Sequence, residues 1–98
     1  MSDAERAVAT VHVDNARVRV TRWDFAPGAT TGWHRHELPY VIVPLKDGAL
    51  RLDADGAETT AELRAGQAYF REAGVEHDVA NATGGPFAFV EIEIKALE

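Results

Sequence analysis

Apolar and polar residues alternate along most of this chain with a period of two, the spacing of a strand with one buried face. Residues 17–22, Arg-Val-Arg-Val-Thr-Arg, alternate strictly. Residues 8–13 do so more weakly, with Val11 and Val13 on one face and His12 on the other, and residues 49–53 and 87–95 repeat the pattern. Residues 40–45, Tyr-Val-Ile-Val-Pro-Leu, make a nearly continuous apolar run that suits a strand covered on both sides. Residues 57–63 read as a polar, exposed strand, and residues 67–71 and 75–81 as two further short ones. Turn chemistry separates these segments at Asp14-Asn15, Pro27-Gly28, Asp47-Gly48, Asp55-Gly56, Ala65-Gly66, Ala73-Gly74 and Gly84-Gly85-Pro86. No window keeps a 3.6-residue period for a dozen residues, so essentially no helix is expected. The pattern predicts an all-β domain of eight to ten short strands, closed as a sandwich or barrel so that its edges are protected.

Two segments break the alternation. Trp23 and Phe25 fall on the parity opposite Val18 and Val20, which predicts a bulge or a change of sheet near Thr21. The apolar set shifts again between Phe89 and Val90. Residues 1–7 show no period and are expected to form a loose arm.

Composition narrows the function. A chain of 98 residues supports one modest core, so residues 1–98 are expected to be a single domain that also houses any active site. The formal net charge of -6 argues against nucleic acid, whose phosphates need a basic surface. With no cysteine, thiolate chemistry and disulfides are excluded, and a metal must rest on His, Asp, Glu or water. No apolar stretch approaches the roughly 20 residues of a membrane span, and the start lacks a signal-peptide pattern. A cytoplasmic protein with small-molecule partners is the expectation.

Against that background the histidines stand out. His34 and His36, spaced i and i+2 behind the Pro27-Gly28 turn, project from one face of a strand and can share a metal ion. Gly28, five residues, then His34-Arg35-His36, with Gly48 closing the segment, resembles the first motif of the cupin family. Gly66, five residues, Glu72-Ala73-Gly74, two residues, His77, three residues and Asn81 resembles the second motif at every spacing, with Glu72 in place of the usual proline. The resemblance covers residues 21–94. It is greatest to small single-domain bacterial cupins of the kind described as β-alanine degradation proteins, and it implies a double-stranded β-helix, or jelly-roll, barrel.

The resemblance also implies a divalent transition metal held by His34, His36 and His77. Iron, zinc, nickel, manganese and copper all accept such ligands. Metal-binding cupins add a glutamate four or five residues after the second histidine, where this chain has Tyr40 and Val41. Glu37, one residue on, is expected to point away. Three neutral imidazoles leave the ion its full double charge, so the site should attract anions and polarise a bound carboxylate. Because the ligands must be deprotonated, affinity should fall below the ordinary histidine value of about pH 6.5.

Tyr40 and Arg71 are the candidate catalytic residues, and Tyr40, Tyr69 and Arg71 the candidate substrate-binding residues. Tyr40 is expected either to donate its hydroxyl to a bound ligand or to fill the missing glutamate's volume. His12 reads as a surface histidine, Trp33 as a core or dimer-contact aromatic, and Asn81 as a backbone-bonding residue. Gly28, Gly48, Gly66 and Gly74 read as turn glycines with unusual backbone angles. Three functions stay open: a dioxygenase-like oxidoreductase acting on a small anionic substrate, a non-catalytic cupin that binds a small ligand or metal, and a structural cupin without metal. A homodimer formed through the terminal strands as edges is the expected assembly.

Overall fold

The computed structural model describes residues 5–96, and among them there is no helix. Nine strands follow in order: β1 (Val8–Asp14), β2 (Val18–Phe25), β3 (His34–Arg35), β4 (Tyr40–Pro44), β5 (Gly48–Ala54), β6 (Ala57–Leu63), β7 (Tyr69–Arg71), β8 (Glu76–Asn81) and β9 (Phe87–Ile94). They form two antiparallel sheets, one ordered β1-β2-β9-β4-β7 and the other β3-β8-β5-β6. The jelly-roll expectation is met in this double-sheet barrel. Part of the expected arm, residues 1–4, lies outside the described residues. The rest of it is not loose, because Thr30 N donates to Glu5 O and Ala7 N to Thr30 O, each at 2.9 Å.

Register explains the broken alternation. In the five-stranded sheet the paired residues Trp23 and Phe89, and Phe25 and Phe87, face inward and fill one end of the barrel. The rings of Phe25 and Phe89 lie 5.4 Å apart, and each fully buried aromatic contributes roughly 2–3 kcal/mol of hydrophobic stabilisation. Two rungs along, the inward pairs become Thr21 with Glu91 and Arg19 with Glu93, while Val20 with Ile92 and Val18 with Ile94 turn outward. β2 therefore runs unbroken through Thr21 and stays in one sheet, contrary to the expected bulge or change of sheet. The register shift lies in the neighbouring strand, between Val11 and Val13.

β9 is central rather than an edge, paired on both sides by β2 and β4, so it cannot offer an edge for assembly. In β4, Tyr40, Ile42 and Pro44 are buried inward, whereas Val41 and Val43 are half-buried on the outer face. The expected covering on both sides is thus met on one. Gly48 differs from the other motif glycines, having no left-handed backbone angle. Its need for glycine is space: a Cβ there would lie 2.5 Å from both the Phe87 ring and Thr83 Oγ1.

Candidate metal centre

Strand pairing brings the three histidines together from distant parts of the chain. His34 on β3 lies directly across from His77 on β8, a cross-strand pair whose side chains share one face. β3 is only two residues long, so His36 lies just beyond it and is fixed by the second-motif turn. His36 N donates to Val75 O and Gly74 N donates to His36 O, both at 2.8 Å, with Gly74 in the left-handed region at φ 103°. His34 Nε2 and His36 Nε2 are 3.0 Å apart, and His36 Nε2 and His77 Nε2 are 3.1 Å apart.

The far sides of two rings decide what those nitrogens can do. His34 Nδ1 is 2.9 Å from Gly32 O, an oxygen that can only accept, and 3.2 Å from the Thr31 hydroxyl; the carbonyl favours the proton on Nδ1 and a lone pair on Nε2. His36 Nδ1 faces Glu91 Oε2 at 3.4 Å, which favours the same tautomer. With both rings in these tautomers two lone pairs face each other at 3.0 Å and a cation between them satisfies both; the same distance also suits a hydrogen bond from a His36 that carries its proton on Nε2. Burial, followed by repulsion from His34 and His77, lowers the pKa of His36 to about 4, so a proton is a poor candidate at neutral pH. Burial and His34 lower His77 to about 4 as well. Neutral imidazoles with converging Nε2 atoms are the donor set a divalent transition metal takes, and His34, His36 and His77 can hold such an ion.

Opposite the histidines the inner face of the five-stranded sheet closes a cavity of about 390 Å³. Its rungs can be read across the strands. Arg19, Glu93, Tyr40 and Arg71 form the outermost rung, and Thr21, Glu91, Ile42 and Tyr69 form the next. The Tyr40 ring stacks on His36 with centroids 3.9 Å apart and planes 20° apart, so it occupies volume beside that imidazole. Burial, then Tyr69 and Glu91, pushes the Tyr40 phenol up to about 12, and burial raises Tyr69 too, so both remain hydroxyl donors. The Arg71 guanidinium lies 4.7 Å above the Tyr69 ring. Arg19 is engaged by Asp14 and Glu93, whereas among the described residues no carboxylate pairs with Arg71.

Other sequence expectations resolve differently. Trp33 is 60 % exposed, which removes the core alternative and leaves the dimer-contact one. It sits at a bend immediately before β3. Glu37 points away as expected and pairs with Arg35 at 3.2 Å. Asn81 is buried and bonds backbone: its Nδ2 donates to Gly85 O at 2.7 Å and Ala26 O at 3.1 Å, and its Oδ1 accepts from Thr83 N at 2.8 Å. Glu91 was not among the expected site residues. The only sequence signal for it is the parity shift at Phe89 and Val90, which turns the glutamates of β9 inward.

Comparison with known proteins agrees with this geometry. Residues 21–93 match the family described as "Cupin domain". This chain belongs to the cupin family. It is 59 % identical, over 97 % of its length and the whole of the relative, to the "Beta-alanine degradation protein BauB" of Pseudomonas aeruginosa. Among solved structures, a cupin domain from Bordetella pertussis Tohama I superposes with a TM-score of 0.95 at 48 % identity, covering 98 % of this chain and all of that one. A double-stranded β-helix protein from Klebsiella pneumoniae, 21 % identical, superposes with a TM-score of 0.76 over 97 % of this cupin and 82 % of that chain, a likeness of fold alone. No helix among the described residues of this cupin is long and apolar enough to cross a membrane.

Proposed function

We propose that this cupin binds one divalent transition metal through His34, His36 and His77 and uses it to act on a small carboxylate anion as a dioxygenase-like oxidoreductase. The observation that carries the metal reading is the convergence of three imidazoles, with His36 Nε2 3.0 Å from His34 Nε2 and 3.1 Å from His77 Nε2. A bound ion would supply Lewis acidity toward a carboxylate oxygen and, if redox-active, electron exchange with dioxygen. The chain's own residues favour an anion. Arg71 is a cation without a carboxylate partner among the described residues, and the Tyr40 and Tyr69 hydroxyls stay protonated on the same wall. The Pseudomonas relative is named for β-alanine degradation, and identity over nearly the whole chain supports placing this cupin in the same process.

Elemental analysis of protein purified without a polyhistidine tag, beside a His77→Ala variant, tests the metal. About one equivalent in the parent and little in the variant is expected; equal, near-zero metal in both removes the proposal. Oxygen consumption by the ferrous-loaded protein across small carboxylates, with β-alanine and its deamination products in the panel, tests turnover. Tight ligand binding without oxygen uptake would replace the enzyme by a binding protein.

The homodimer is supported by the outer face of the five-stranded sheet. Val13, Val20, Ile92, Val41 and Phe70 pair in one apolar row across all five strands. Phe70 is 47 % exposed at one end of it. A second copy of this face is self-complementary about a two-fold axis, as dimer interfaces commonly are. Sedimentation should give about twice the 10.7 kDa chain mass, and Ile92→Glu should give the chain mass; a parent monomer at every concentration removes the dimer.

A further inference from the structure

The ligand set lacks the carboxylate that metal-binding cupins place after the second histidine, yet a carboxylate stands behind one ligand. Glu91, from β9 and 7 % exposed, reaches the cavity wall from a different strand. Its Oε1 accepts a hydrogen bond from Trp23 Nε1 at 3.1 Å, and its Oε2 faces His36 Nδ1 at 3.4 Å, on the ring edge opposite Nε2. Thr21 is the cross-strand neighbour of Glu91, and Arg19 and Glu93 pair with each other at 3.3 Å one rung away. Trp23 thus engages one oxygen by a hydrogen bond, and the other faces His36.

We propose that Glu91 is the positioning residue of this centre: it holds the His36 proton on Nδ1, keeps Nε2 free as a ligand, and supplies from behind the imidazole the negative charge missing from the ligand set. Carboxylate–histidine–metal arrangements set the tautomer and raise the basicity of the ligating nitrogen. At His34 the Gly32 carbonyl, 2.9 Å from Nδ1, favours the same tautomer without adding charge. Among the three ligands, His36 alone has a carboxylate facing its Nδ1 among the described contacts. It is also the ring whose Nε2 approaches both of the others. The proposal rests on the metal reading for its consequence and on geometry alone for the tautomer.

Glu91→Gln separates the roles. The Trp23 indole is only a donor, so it takes the amide oxygen and turns the amide NH₂ toward His36 Nδ1, which must then accept and lose its proton to Nε2. Long-range ¹H–¹⁵N spectra of the metal-free protein should show His36 protonated on Nδ1 in the parent and on Nε2 in the variant, with His34 on Nδ1 in both. Zinc affinity by chelator competition should fall 10- to 100-fold, the range for loss of such an outer partner. A ring proton that stays on Nδ1 in Glu91→Gln, or an unchanged zinc affinity, overturns the proposal. If the variant does not fold, the parent spectrum alone decides, because His36 protonated on Nε2 there also overturns it. A parent that binds no zinc would overturn the metal reading instead, and the tautomer result would still decide the place of Glu91.

Discussion

Acidifying the metal-free protein tests how firmly the cluster holds its rings neutral. His36 is 8 % exposed, and burial together with the neighbouring rings lowers its pKa from 6.5 to about 4. Below pH 6.5 the unfolded chain takes up a proton on this ring that the folded chain refuses until about pH 4. Stability is therefore full above 6.5 and is lost as the pH falls through that window. At 1.36 kcal/mol per pH unit, His36 accounts for about 3 kcal/mol across the window, of which roughly 2.5 kcal/mol is gone at pH 4.5. His77, also lowered to about 4, adds less than a second such amount, because each shift already contains repulsion between the rings. Glu91 works in the opposite direction. Burial raises its carboxyl, so its contribution grows as the pH falls toward the ordinary carboxylate value. The comparison that isolates His36 is a parent and His36→Gln pair, stripped with chelator and unfolded in urea at pH 7.5 and 4.5. The variant also loses the Tyr40 stack and is weaker at both values, so only the change between them counts. The parent should lose about 2 kcal/mol more than the variant between the two pH values. Equal losses would refute the neutral, buried cluster.

Three further outcomes follow from single contacts. Asn81→Asp should cost about 3–5 kcal/mol at pH 7, because a buried carboxylate would face the Gly85 and Ala26 carbonyls that Nδ2 now satisfies. Part of that stability should return as the new carboxyl protonates, read by melting at pH 7 and pH 5. Gly48→Ala should cost about 1–3 kcal/mol by overpacking against Phe87 and Thr83, whereas a space-limited site predicts that metal content is unchanged. Arg71→Met should weaken binding of a small carboxylate to zinc-loaded protein about tenfold, the worth of one charge-assisted hydrogen bond, and leave the zinc itself in place. Isothermal titration reads both quantities.

Much of this molecule was legible in its sequence because the signals were local. Period-two alternation and glycine turns gave the strands, and Gly28 to His36 and Gly66 to Asn81 gave the two motifs whose histidines meet across β3 and β8. Asn81 was legible for the same reason. For Trp33 only the core half of the expectation fails, since burial depends on where the barrel wall lies rather than on the residue's own hydropathy. Gly48 is glycine for a cause its sequence does not show: a backbone angle and a close approach both select glycine, and only the position of Phe87 tells them apart.

The parity shifts carry the deeper lesson. A bulge moves one strand against its partner, so it changes the phase of that strand alone. Here β2 changes phase between Val20 and Trp23, and β9 changes phase between Phe89 and Val90, at the same level of one ladder and with the register intact. Only a change in what the two faces touch can shift both together. Inward, phenylalanine gives way to Thr21, Glu91, Arg19 and Glu93, because a cavity that holds charged chemistry begins at that rung. Outward, Val18, Val20, Ile92 and Ile94 appear, on the face of the sheet that this chain's own second sheet does not cover. One substitution pattern thus writes both the polar wall of the candidate metal centre and the apolar face proposed for a second copy. Read on a single strand, Glu91 and Glu93 are solvent-facing glutamates; read on two paired strands, they are the inside of the site.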